Sequence, residues 1–156
     1  MEEVAQEIFE YSRRGRIADL LEVVAHVHPD THVAYDGSTA FLMACKNGHL
    51  EIAKLLLKYG ANDSLRCDEG SSALHLACCT GNRELVYLLL ERRLEDINSC
   101  NEDGFTPLDL AHYYNHAEIA ELLRSRGGIL SMNSTPESGE VDAGPSEKWG
   151  YGVFDQ

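Results

Sequence analysis

Residues 68–90 read DEGSSALHLACCTGNRELVYLLL, and the fold of the whole chain follows from how this stretch is built. An acid-Gly turn (Asp68-Glu69-Gly70) leads to Ser72, a residue type that caps helices by accepting a hydrogen bond from the first turn. An apolar run follows and stops at Gly81, a residue suited to the left-handed end of a helix. A second stripe then begins with Leu85, Val86, Leu88 and Leu89. The same frame returns on both sides. Gly37, Gly70 and Gly104 open three frames spaced 33 and 34 residues apart. Ala44, Ala77 and Ala111 keep those spacings, as do Leu55, Leu88 and Leu122.

Within the quoted stretch, Ser72-Ala73-Leu74-His75-Leu76-Ala77 is close to the signature T-P-L-H-x-A, and the third frame carries Thr106-Pro107-Leu108-Asp109. A period of about 33 residues with this signature resembles the ankyrin repeat family. The resemblance implies an all-α solenoid in which each repeat is a β-hairpin turn followed by two antiparallel helices. It also implies a function in protein–protein recognition rather than catalysis, with no cofactor.

Taken in order, residues 1–34 read as a degenerate N-terminal capping repeat. Gly15 stands 33 residues before Gly48, but no Asp-Gly turn precedes it, and Leu20, Val23 and Val24 are out of phase by one with Ile52, Leu55 and Leu56. Full repeats are expected at 35–67 and 68–100, with a C-terminal repeat at 101–128. An end repeat can afford an irregular outer face because that face meets water. Thr39, Ser72 and Thr106 stand at N-cap positions, Pro107 in a first helical turn, and Asn115 in a slot held elsewhere by glycine. One extra residue enters near 92–96, which accounts for the step from 33 to 34.

From Ser131 the composition turns to Ser, Pro, Gly and acids, then becomes aromatic in Trp149-Gly150-Tyr151-Gly152-Val153-Phe154. Residues 129–156 are therefore expected to form a flexible acidic tail whose end docks through Trp149, Tyr151 and Phe154. The receiving surface, its own solenoid or a partner, stays open. Thr135, before Pro136, is a candidate for phosphorylation, and Asn98 stands in a context resembling that of hydroxylated ankyrin asparagines.

Net charge is −13, from 26 acids against 13 bases. That balance argues against nucleic acid, where Lys and Arg must neutralise phosphates, and favours a basic partner. No apolar run approaches the roughly 20 residues of a membrane helix, and the acidic start does not read as a secretory leader. Cytoplasm or nucleus, a monomeric state and no small-molecule substrate are the expectations. Cys45 and Cys78, like Cys67 and Cys100, each occupy one slot twice at a spacing of 33, and the count of five is odd, so reduced thiols are expected.

Catalytic and metal chemistry find little support. His75 with Cys78 and Cys79 could pair a thiol with a base, but His75 is the signature histidine and Cys78 fills a small-residue slot. His112 and His116 are four apart, yet His116 follows the helix-ending Asn115. His26, His28 and His32 flank Pro29 in a connection without matched acids or thiols. No site residue is assigned to catalysis or to a metal.

Recognition remains. In the resembling family the hairpin tips and the ends of the first helices bind partners. Carried over slot by slot, the tips hold Tyr35, Asp36, Asp68, Glu69, Glu102, Asp103 and Phe105, and the helix ends Lys46, Cys79, Tyr113 and Tyr114, with Arg13 and Arg14 in the cap repeat. Carboxylates pair with Arg and Lys, and aromatic faces attract the same cations. The expected function is an adaptor or chaperone for a basic protein or peptide. An alternative is a regulator resembling the short ankyrin inhibitors of cyclin-dependent kinases, which share an Arg-Gly pair like Arg14-Gly15 but have a shortened second-repeat helix. A further alternative is a thiol-dependent enzyme or enzyme regulator using an exposed Cys79.

Overall fold

In the computed structural model, described for residues 2–31 and 33–131, helices follow one another in pairs. The pairs are α1 (Glu2–Arg14) with α2 (Ile17–Val23), α3 (Ala40–Lys46) with α4 (Leu50–Lys58), α5 (Ala73–Thr80) with α6 (Arg83–Arg92), and α7 (Pro107–Tyr113) with α8 (Ala117–Ser125). A 3₁₀ turn, Leu94–Asn98, absorbs the extra residue after α6. Among the described residues there is no extended strand; the turn before α3 closes with a single bridge between Val33 and Thr39.

Capping explains where the inner helices α3, α5 and α7 begin. The side chains of Thr39, Ser72 and Thr106 accept from the backbone N–H three residues on, at Leu42, His75 and Asp109. At Ser72 and Thr106 the contact is reciprocal, since His75 and Asp109 reach back to the cap's own N–H. Where the frame needs a left-handed residue after α7, Asn115 adopts φ +59 without being glycine.

Inner helices pack in a row, α1 on α3, α3 on α5 and α5 on α7, whereas among the outer helices α6 and α8 touch. Small residues explain the asymmetry: Ala44, Ala77 and Ala111 are fully buried and let the inner backbones approach closely. The core lies between the two rows, with Phe41, Leu42, Leu56, Leu85, Leu108, Leu110, Ile119 and Leu123 inaccessible or nearly so. Leu55, Leu88 and Leu122, the recurring outer leucines, are only half-buried against it.

Hydrogen bonds run from repeat to repeat. His49 Nε2 donates to the Arg13 carbonyl, Asn82 Nδ2 to that of Gly48 and His116 Nε2 to that of Cys79. At the turns, Asp68 N–H donates to the Asp36 carbonyl and Glu102 N–H to that of Glu69. Gly37 has φ +76, and a Cβ there would collide with Asp68, so the close approach of successive turns also requires glycine.

Candidate functional site

The backbone bonds between turns set the tip residues in one row. Asp68, Glu102 and Asp103 are exposed, Asp36 and Glu69 half-buried. Asp36 is partly committed to its own turn, its Oδ1 accepting from Ser38 N–H at 3.0 Å. Tyr35 stands wholly in solvent, at 100% exposure.

The cap repeat adds a wall to this row. A groove of 510 Å³ runs between α1 and the first turn, floored by Phe9, Ala34 and Met43 and rimmed by Glu10, Arg13, Asp36 and Lys46, with Tyr35 at its edge. Glu10 is bound by Arg13 and Arg14 at 2.7 and 3.1 Å. The Arg13 hydrogen bond holds the Glu10 carboxyl below its ordinary range. Three predicted residues, Tyr35, Asp36 and Lys46, are thus brought together with Arg13. Gln6, Phe9, Glu10 and Met43 were missed. A signal was available, because 6, 9, 10 and 13 recur at i, i+3, i+4 and i+7 and so share one face of α1.

At the far end of the stack, Tyr113 is half-exposed at the end of α7, and its ring meets Tyr114 edge-on at 5.0 Å. Tyr114 stacks on His116 at 6.5 Å and packs against the core, as Phe105 does, so both serve packing as well as surface. Burial, with Cys79 and Tyr113 adding to it, pushes the Tyr114 hydroxyl upward, and it stays protonated.

Cys79 corrects an expectation. Its helix-end slot was read as exposed, yet the residue is 7% accessible and its thiol donates to the His75 carbonyl at 3.3 Å. The cause is the next repeat, whose His116 and Tyr114 cover this end of α5. The neighbouring Cys78 is fully buried, and burial raises its thiol well above the ordinary value. None of the five cysteines is in a disulfide.

His75 is sealed in. Ser72 N–H donates to its Nδ1 at 3.2 Å, and its Nε2 donates to the Phe105 carbonyl at 3.0 Å, which places the ring proton on Nε2. Burial pushes its pKa down to about 4. The ring joins one repeat to the next turn, and no nucleophile uses it. His116 is likewise engaged with a backbone carbonyl, and His28 accepts from Asp30 N–H at 3.3 Å. Among the described residues no group of three His, Cys, Asp or Glu side chains could hold a metal. No described helix is long and apolar enough to cross a membrane.

A family model described as ankyrin repeats (3 copies) matches residues 9–99 and again 62–134. The chain belongs to the ankyrin repeat family. Ankyrin repeats are generally protein–protein interaction modules and are typically non-catalytic. No curated protein matches the chain. For an ankyrin protein, one ion network escaped sequence reasoning: Asp96, buried at the 3₁₀ turn, holds Arg66 and Arg93, each at 3.1 Å, and Arg93 and Arg92 both reach Asp63. The inserted residue near 92–96 marked the place but not the partners. Trp149, Tyr151 and Phe154, along with Thr135 and His32, lie outside the described residues.

Proposed function

We propose that this ankyrin protein is a non-catalytic adaptor or escort that holds a basic protein or peptide across its hairpin tips and inner-helix ends. In this reading 1–34 cap the stack, 35–67, 68–100 and 101–128 are its repeats, and 129–156 form the tail. It acts as a monomer in the cytoplasm or nucleus.

The observation that carries the reading is the row of tip acids in successive repeats, joined turn to turn by the Asp68–Asp36 and Glu102–Glu69 backbone bonds. Joined tips cannot splay independently, so their carboxylates are pre-organised and little entropy is lost on binding. Carboxylates recognise Arg and Lys through charge-assisted hydrogen bonds. Tyr35 adds an exposed ring at one end and Tyr113 at the other, and tyrosine is enriched among interface anchors. The groove beside α1, with an apolar floor, suits an apolar side chain of the same partner.

The kinase-inhibitor reading loses support because α3 is a regular capped helix rather than a shortened one. The thiol reading loses support because Cys79 is buried.

The test is affinity capture from cells with the intact chain and with Asp68→Asn/Glu102→Gln/Asp103→Asn, which keep side-chain shape and remove charge. A basic protein is expected to be captured by the intact chain, weakened by salt, and reduced at least tenfold by the variant. Capture that is indifferent to both salt and the variant removes the acidic-tip reading.

A further inference from the structure

The opposite face carries a feature that partner binding at the tips does not use. Between α4 and α6 lies a second groove, of 480 Å³, lined by Leu50, Lys54, Tyr87 and Leu88, with Arg83, Glu84 and Glu91 at its margins. Its volume is within the roughly 300–1,000 Å³ typical of ligand pockets. The outer helices create it by packing less closely than the inner ones.

Its apolar character is not imposed by the repeat. Residues 84, 87, 88 and 91 recur at i, i+3, i+4 and i+7, so they share one face of α6. The position of Tyr87 is held by Lys54 in the preceding repeat and by Glu121 in the following one. Tyr87 is 49% exposed and Arg126 lies over its ring at 5.3 Å, held by Glu91 at 2.7 Å. The matching groove between α6 and α8 instead presents Glu118, Glu121 and Ser125.

We propose that the C-terminal aromatic segment of this same chain, residues 149–154, docks in the α4–α6 groove, with Trp149 as the anchor. Three arguments select that occupant. The segment holds the chain's single tryptophan, with Tyr151 and Phe154 beside it, in a chain of net charge −13. The groove presents two bases and two acids, so it does not repel the acidic tail, whereas the α6–α8 groove has two acids against one base.

Length also fits. The described chain ends at Ser131, tied by its N–H to the Asp109 carboxylate at 3.2 Å, and the 17 residues 132–148 separate it from Trp149. A random-coil linker of that length has a root-mean-square span of about 23 Å. The one and a half repeats to the groove take about 15 Å along the stack, at roughly 10 Å per helix layer, and the step from the inner to the outer row adds about 10 Å. Intramolecular docking is most favourable when these two lengths match. Docking on the outer face leaves the tips open to a partner.

Trp149 is its own probe. In the full-length chain its emission is expected to be blue-shifted and several-fold less quenched by acrylamide than in a peptide of residues 145–156. Both properties are expected to be unchanged on tenfold dilution. Tyr87→Lys, which installs the residue type of the neighbouring repeat and so preserves the fold, is expected to return Trp149 to peptide-like emission. Tyr35→Ala, on the other face, is expected to leave it shifted, and circular dichroism checks both variants. A peptide-like tryptophan in the intact chain overturns the proposal. So does protection that survives Tyr87→Lys, is lost in Tyr35→Ala, or disappears on dilution, the last pointing to a second copy as the receptor.

Discussion

At the scale of single residues, His75 shows how one side chain can serve capping, inter-repeat contact and pH response together. Its folded pKa of about 4 lies below the ordinary 6.5, so between these values the unfolded chain binds more protons than the folded one. Stability is therefore fully present above pH about 6.5 and falls as the pH is lowered toward about 4. By pH about 5.5, still above the ordinary carboxylate range, the loss is expected to be on the order of 1 kcal/mol. Urea unfolding at pH about 7.5 and about 5.5 checks this against His75→Gln. That variant is expected to be less stable at both values, through loss of the Phe105 bond, but flatter between them. An equal slope in the two proteins would assign the pH response to other groups.

At the scale of elements, the end of the stack is closed by chain that stands where a further turn would be. Asn98 Nδ2 donates to the Gly127 carbonyl and its Oδ1 accepts from Ile129 N–H, at 3.0 and 2.8 Å. Thr106 Oγ1 donates to the Ile129 carbonyl at 2.9 Å. These bonds tie α8 and its exit to the 3₁₀ turn and the start of α7. Asn98→Ala removes two of them and is expected to cost about 1–2 kcal/mol. Because each repeat leans chiefly on its neighbours, the loss should stay local. Hydrogen exchange is expected to accelerate several-fold in α8 and residues 127–131, with α3 unchanged. Uniform acceleration would mean that the stack unfolds as one unit.

At the scale of the whole molecule, charge shapes stability, and in the proposed function it also selects the partner. Net charge is −13, and acids recur in the same turn slots of adjacent repeats. Like charges so placed repel, and salt screens them over about 10 Å at 0.1 M. Raising salt from about 0.02 to about 0.15 M is therefore expected to raise the melting temperature of the intact chain by a few degrees. Asp68→Asn/Glu102→Gln/Asp103→Asn is expected to melt no lower than the parent at low salt and to respond less to salt. Calorimetry checks both, and a variant that melts well below its parent would mean these carboxylates hold the turns together.

What the sequence determined by itself was the periodic part of the protein. Gly37, Gly70 and Gly104, with Ala44, Ala77 and Ala111, fix turn, helix and stack because each answers a local demand, a positive φ or a close backbone approach. The caps at Thr39, Ser72 and Thr106 were legible for the same reason, since a cap acts three residues away. The tip and helix-end residues could also be named from their slots. Tertiary structure alone decided which of them meet solvent. Cys79 and Tyr35 both occupy slots read as exposed, yet one lies under the following repeat and the other stands fully in water. Their accessibility is set by residues some thirty positions away. The two grooves belong to the same class, because a groove is the space left between helices of different repeats, and no single repeat encodes it.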